Sequence, residues 1–100
     1  MTRFADLQAA VQAALADASR RTALASSALK LARAEAVTWP DGSLGCPKPG
    51  MLYTQALVPG YRIRIQAAGR AMDYHASARG ALVLCPAGRA VDPVVDTGRT

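Results

Sequence analysis

The sequence predicts an α+β domain, with one N-terminal helix packed on an antiparallel sheet of three to four strands and a long Pro/Gly-rich loop set into the strand order. Two changes of rhythm predict it. Apolar residues recur with the 3.6-residue period of a helix before Ser19, and with the two-residue period of a strand after Gly60. Between them, Val37 to Ile65 gathers the only Trp, one of two Cys, four of six Pro and two of three Tyr. Pro restricts the unfolded chain, so such a loop holds one shape at low entropic cost. It is either the keystone of the fold or its working surface.

Phe4, Leu7, Val11, Ala14, Leu15 and Ala18 share one helical stripe, with Gln8, Gln12 and Asp17 opposite. The expected helix runs from 3 to 18, with Thr2 as N-cap and Ser19-Arg20-Arg21-Thr22 ending it. Residues 23–36 pull two ways. Their Ala content favours helix. Leu29, Leu31, Val37 and Trp39 sit on alternate positions and run into Val37-Thr38-Trp39, which favours a strand over 29–38. Tyr61-Arg62-Ile63-Arg64-Ile65 alternates strictly, a half-buried strand with both Arg on the wet face. After a turn at Ala68-Gly69-Arg70, Met72, Tyr74 and Ala76 alternate with Asp73 and His75. This places His75 at a surface or edge position. A second turn leads into a last strand, Ala81 to Cys85, completing a hairpin meander.

A helix over one sheet face makes two layers. Trp39, Ile63 and Leu84 are expected in one core, because large apolar residues are scarce: the chain is 51% hydrophobic, much of it Ala, and only 5% aromatic. One hundred residues make a single domain, expected over 1–88. Residues 89–100 read as a flexible C-terminal tail, with Asp92 to Thr100 dispensable.

The net charge is +5, and ten of the twelve basic residues are Arg. They are scattered, whereas a nucleic-acid footprint needs clustering. No stretch reaches the roughly 20 apolar residues of a membrane span. Asp6 and Gln8 interrupt the start where a signal peptide needs an apolar run. The chain reads as cytoplasmic as written, and as extracytoplasmic if a signal was removed.

Cys46 and Cys85 are the only cysteines. They are a disulfide candidate that would tie the loop to the end of the last strand. The competing reading is two free thiols. Cys46, Cys85, His75 and Asp73 or Asp41 lack the spacing of a structural zinc site, so no metal and no cofactor is expected. A Cys46–His75 dyad is writable, but Pro47 offers no N–H for an oxyanion hole beside it. Gly42-Ser43-Leu44-Gly45 is neither a nucleophile elbow nor a phosphate loop. No enzyme is expected.

The leading functional expectation is a protein-binding module. Its surface is the rigid loop Cys46 to Tyr53, with contact residues Asp41, Ser43, Lys48, Met51 and Tyr53, and Lys48 is the specificity residue of an inhibitor-like version. Met51, Leu52 and Tyr53 either anchor the loop or form an exposed patch. The alternative is a basic nucleic-acid or polyanion-binding domain using Arg62 and Arg64, with Arg70 and Arg79 at adjoining turns. Tyr61 and Tyr74 on the core face leave it no stacking platform.

The block W-P-D-G-S-L-G-C-P-x-P-G-M-x-Y-T-Q-x-x-x-P-G-Y-R-I, beginning at Trp39, is followed by a Gly turn, Tyr74-His75 and Leu84-Cys85. It resembles a group of small uncharacterised bacterial domains, many of them with the look of secreted or lipoprotein-borne chains. The resemblance spans residues 5–85 and is specific in the block. It implies the order helix, strand, long loop and hairpin meander, and so supports a strand over 29–38. It implies no activity. The helix-over-sheet order also resembles cystatin-like and PepSY-like domains at the level of fold alone.

Overall fold

The computed structural model describes residues 3–94. In chain order it contains helix α1 (Leu7–Thr22), a 3-10 turn (Ser26–Ala28) and four strands: β1 (Leu29–Trp39), β2 (Val58–Ala67), β3 (Arg70–Ser77) and β4 (Leu82–Cys85). The strands form one antiparallel sheet in the order β1-β2-β3-β4. The α+β class holds, and so does the strand over 29–38. Pairing with β2 decides it where Ala propensity alone favours helix.

The helix lies four residues further along than its apolar stripe suggests. Asp6 is the N-cap: its backbone is extended and its carboxylate accepts the Ala9 N–H at 2.9 Å. Thr2 lies outside the described residues. At the other end Arg20 and Arg21 reach back to Asp17, at 3.2 and 2.6 Å, and the Thr22 hydroxyl donates to the Ala18 carbonyl at 2.7 Å. These bonds, and cations placed at the negative end of the helix dipole, carry the helix through Arg20-Arg21-Thr22. It stops at Ala23, whose φ of 60° is left-handed.

Ala10, Val11, Ala14 and Ala18 face the sheet and are buried against Ile63, Ile65, Tyr74 and Ala76. Phe4 precedes the helix yet belongs to this core, its N–H bound to the Ala78 carbonyl. Tyr74 ties the two layers by donating its hydroxyl to Asp17 at 2.7 Å. Burial pushes the Asp17 carboxyl up, but the Tyr74 hydroxyl, then Arg21 and Arg20, hold it below the ordinary carboxylate range. Burial and the same bond push the Tyr74 phenol well above its usual range.

The other sheet face is wet only in part: Arg33, Glu35 and Arg64 keep a half-exposed side chain there, and the rest is covered. Strand alternation sends Arg62, Arg64, Asp73, His75, Val37 and Trp39 to it. The chain from 40 to 57 and from 86 to 94 folds over it, making a third layer. This corrects three expectations. The Arg62 side chain is only 11% exposed. His75 is fully buried. Trp39 is fully buried too, but on the opposite face from Ile63 and Leu84, so there are two cores. Period-two alternation says which residues share a face, and leaves open what covers each face.

Within the expected tail, residues 89–94 cross this second face as a strap. The Val91 N–H donates to the Gly45 carbonyl and the Val94 N–H to the Thr38 carbonyl, both at 2.8 Å. The rest of the expected tail, 95–100, lies outside the described residues.

Candidate functional site

Trp39 ends β1 and organises the covered face. Its indole N–H crosses Gly60 to reach the Ala76 carbonyl on β3 at 2.9 Å. Its ring stacks on His75, with centroids 4.5 Å apart and planes 18° from parallel. Two glycines leave room for it. A Cβ on Gly60 would collide with the Ala76 carbonyl oxygen, and one on Gly45 would lie 2.5 Å from the Trp39 ring and 2.7 Å from the Val91 carbonyl. Gly45 also has a φ of 69°, a left-handed conformation that glycine adopts without steric cost. Gly45 and Gly60 of the Trp39–Ile63 block are thus walls of one aromatic slot.

His75 carries the polar side of the slot. Its Nδ1 lies 2.7 Å from the Leu44 carbonyl oxygen and its Nε2 3.1 Å from Asp73 Oδ2. Both neighbours are oxygen acceptors, one on each side of the ring. Asp73 also faces Arg62 at 3.8 Å and Arg64 at 4.0 Å. Burial pushes the Asp73 carboxyl up, but the His75 hydrogen bond and charge, followed by Arg62 and Arg64, hold it below the ordinary carboxylate range. Arg62 reaches outward to Asp92 of the strap at 3.4 Å. Arg62 Nε, Arg64 Nε and Asp73 Oδ1 are buried with no hydrogen-bond partner among the described residues. Both nitrogens of His75 lie against hydrogen-bond partners and the ring is out of solvent, so it is an anchor for the Leu44 carbonyl.

The loop is braced at each level above this layer. Asp41 Oδ1 accepts from the Ser43 N–H at 2.8 Å and from its hydroxyl at 2.6 Å, closing an Asx turn. These two bonds hold the Asp41 carboxyl below its ordinary range. The Gly42 N–H joins the two arms by donating to the Thr54 carbonyl at 2.9 Å. Cys46 and Cys85 form a disulfide, with Cα atoms 5.8 Å apart. The expected bridge is present, and the Cys46–His75 dyad has no thiol. Lys48-Pro49-Gly50-Met51 makes a tight turn, with the Met51 N–H on the Lys48 carbonyl and Gly50 at φ 79°. The Tyr53 hydroxyl accepts the Lys48 N–H at 3.0 Å, fixing the turn from below.

The candidate contact residues therefore separate. Asp41 and Ser43 build the loop base, and Ser43 is buried. Tyr53 is half-buried and works as a brace. Arg62 lies under the strap and beside Asp73, whereas Arg64, also beside Asp73, stays half exposed. Lys48 and Met51 stand on the exposed tip. Beside them is a residue the sequence reading left undecided: Leu52 is 96% exposed, Met51 56% and Leu57 64%. Composition could not separate Tyr53, which folds back, from Leu52, which points out. That depends on where the turn from Lys48 to Met51 directs the chain.

Among the described residues no group of three or more His, Cys, Asp or Glu is placed to hold a metal ion, and no helix is long and apolar enough to cross a membrane. No curated protein and no solved structure matches this chain. A family model does, over residues 11–85, from the middle of α1 through the braced loop to the second half of the disulfide. The chain belongs to that family, described as a domain of unknown function, DUF8738.

Proposed function

We propose that this domain is a protein-binding module whose contact surface is the tip of the braced loop, centred on Met51 and Leu52 with Lys48 beside them. The observation that carries this reading is Leu52, an apolar side chain 96% exposed in a loop tied down by a disulfide, an Asx turn, the Gly42–Thr54 bond and the Tyr53 hydroxyl. A surface apolar group held in one place meets a partner without the entropy loss of ordering a loop. Lys48 opens a tight turn, which favours a general contact surface over the inhibitor-like form, where an extended strand would enter a protease cleft. The disulfide favours an oxidising, extracytoplasmic setting. It agrees with a bacterial, exported group marked by the Trp39–Ile63 block. Polyanion binding through Arg62 and Arg64 has less support, because Asp73 and Asp92 already face these guanidiniums.

The test is retention of extracytoplasmic proteins on the immobilised oxidised domain. Leu52→Asp and Met51→Asp should each lose the retained partner, while Arg20→Ala on the helix surface keeps it. Equal retention by all four proteins would end the reading. Titration of a trypsin-like protease addresses the inhibitor form separately, and unslowed cleavage at micromolar domain would remove it.

A further inference from the structure

The sheet has two edges, and they differ. β4 offers four residues followed by Pro86, whereas β1 runs eleven residues along the other edge. The direction of the β1 backbone groups follows from one fixed point. Thr38 lies opposite Pro59, which has no N–H to give it, and its carbonyl accepts the Val94 N–H from the side away from β2. In an antiparallel ladder, residues alternate between bonding their partner strand and facing outward. The register is unbroken from Trp39 back to Arg33. Ala36 and Ala34 are thus in phase with Thr38 and direct their N–H and C=O groups outward. Among the described residues, the strap bonds the edge at Thr38 alone. An edge of this kind is a template for another strand.

We propose that β1 pairs edge to edge with β1 of a second copy, antiparallel about a two-fold axis through Ala34, joining the two sheets into one. Charge selects the occupant and the register. Arg33 and Glu35 share a sheet face, half exposed and 3.2 Å apart. With the axis on Ala34, each Arg33 stands opposite Glu35 of the second copy, and the two Ala34 residues exchange both backbone hydrogen bonds. Opposite charges directly across a strand pair stabilise it and like charges destabilise it. Moving the axis to Arg33 or Glu35 sets like charges face to face. Moving it to Ala36 brings Ala34 against Thr38, where the strap already sits. The short sequence Arg33-Ala34-Glu35 is self-complementary in one register. The bulge between Leu31 and Arg33 ends the paired stretch on each side. The contact is therefore short, and the dimer forms as concentration rises.

Analytical ultracentrifugation of the oxidised full chain over a concentration series tests this. The wild type should pass from monomer to dimer. Arg33→Glu and Glu35→Arg should each stay monomeric, and an equimolar mixture of the two should dimerise again, because it restores opposite charges across the axis. Ala34→Pro removes an N–H that β2 does not use, so it should keep the fold and lose the dimer; circular dichroism checks the fold of each variant. The proposal is overturned by a wild type that stays monomeric to its solubility limit. It is equally overturned by a dimer that survives Ala34→Pro, or by a mixture of the charge variants that fails to associate.

Discussion

Trp39 shows how a single residue can set the positions of many. Its ring fills the slot between Gly45, Gly60 and His75, and its N–H reaches across β2 to the Ala76 carbonyl. Trp39→Ala should cost about 3–5 kcal/mol, since the walls at Gly45 and Gly60 are backbone and cannot collapse into the space. Trp39→Phe keeps most of the stack and loses the hydrogen bond, leaving a buried carbonyl unpaired, and should cost about 1–3 kcal/mol. Urea unfolding followed by circular dichroism separates the two. Asp73 makes a prediction about pH. Its folded-state carboxyl lies below its ordinary value, so the stability it adds is fully present above the unfolded-state value of about 4. That stability is lost as pH falls through the folded-state value. Asp73→Asn should therefore cost about 3 kcal/mol at neutral pH, by leaving Arg64 without an anion and Arg62 with only the exposed Asp92. Melting temperatures of wild type and variant should converge as the pH drops well below 4. A gap that persists undiminished in acid would mean Asp73 acts by packing and not by charge.

At the scale of elements, the helix and the β2–β3 hairpin hold themselves, whereas the loop depends on ties. β2 and β3 pair along eight residues, from Gly60↔Ser77 to Ala67↔Arg70. The loop from 40 to 57 has no ladder and is held by the Cys46–Cys85 bridge, the Leu44 carbonyl on His75, and the strap. The bridge closes a sequence separation of 39 residues, which corresponds to roughly 4 kcal/mol of loop entropy. Cys46→Ser with Cys85→Ser should lower stability by about that amount. Hydrogen exchange should rise first at Gly42, Cys46, Val91 and Val94, while the amides of β2 and β3 stay protected. Simultaneous loss of protection in the hairpin would show that the loop and the sheet unfold as one unit. The same elements were unequally legible in the sequence. Strict alternation marked β2 and β3 because each has one apolar face. β1 was ambiguous because Ala32, Ala34 and Ala36 satisfy helix and strand alike, and its answer comes from β2 lying alongside.

For the molecule as a whole, three layers replace the expected two, and the strap closes the third. Truncation after Ala90 removes Val91 from Gly45, Val94 from Thr38 and Asp92 from Arg62. It should lower the melting temperature by several degrees and raise tryptophan quenching by acrylamide, since Trp39 loses part of its cover. Asp92→Ala alone should change stability by less than about 0.5 kcal/mol, because the Asp92 side chain is 86% exposed. An untouched melting temperature on truncation would make residues 92–94 dispensable, as the sequence predicts, and Val91 with them. What the sequence determined by itself was the local periodicity: one helix, a strand-turn-strand meander, a rigid Pro/Gly segment, and two cysteines available to bridge. Each rests on interactions within a few residues or on the covalent restriction of Pro. Only the tertiary structure decided that Arg62 and His75 are buried, that Trp39 belongs to a second core, and that Leu52 points outward while Tyr53 turns in. Burial and exposure depend on which distant segment covers a face, and here segments forty or more residues apart in the chain meet over the sheet.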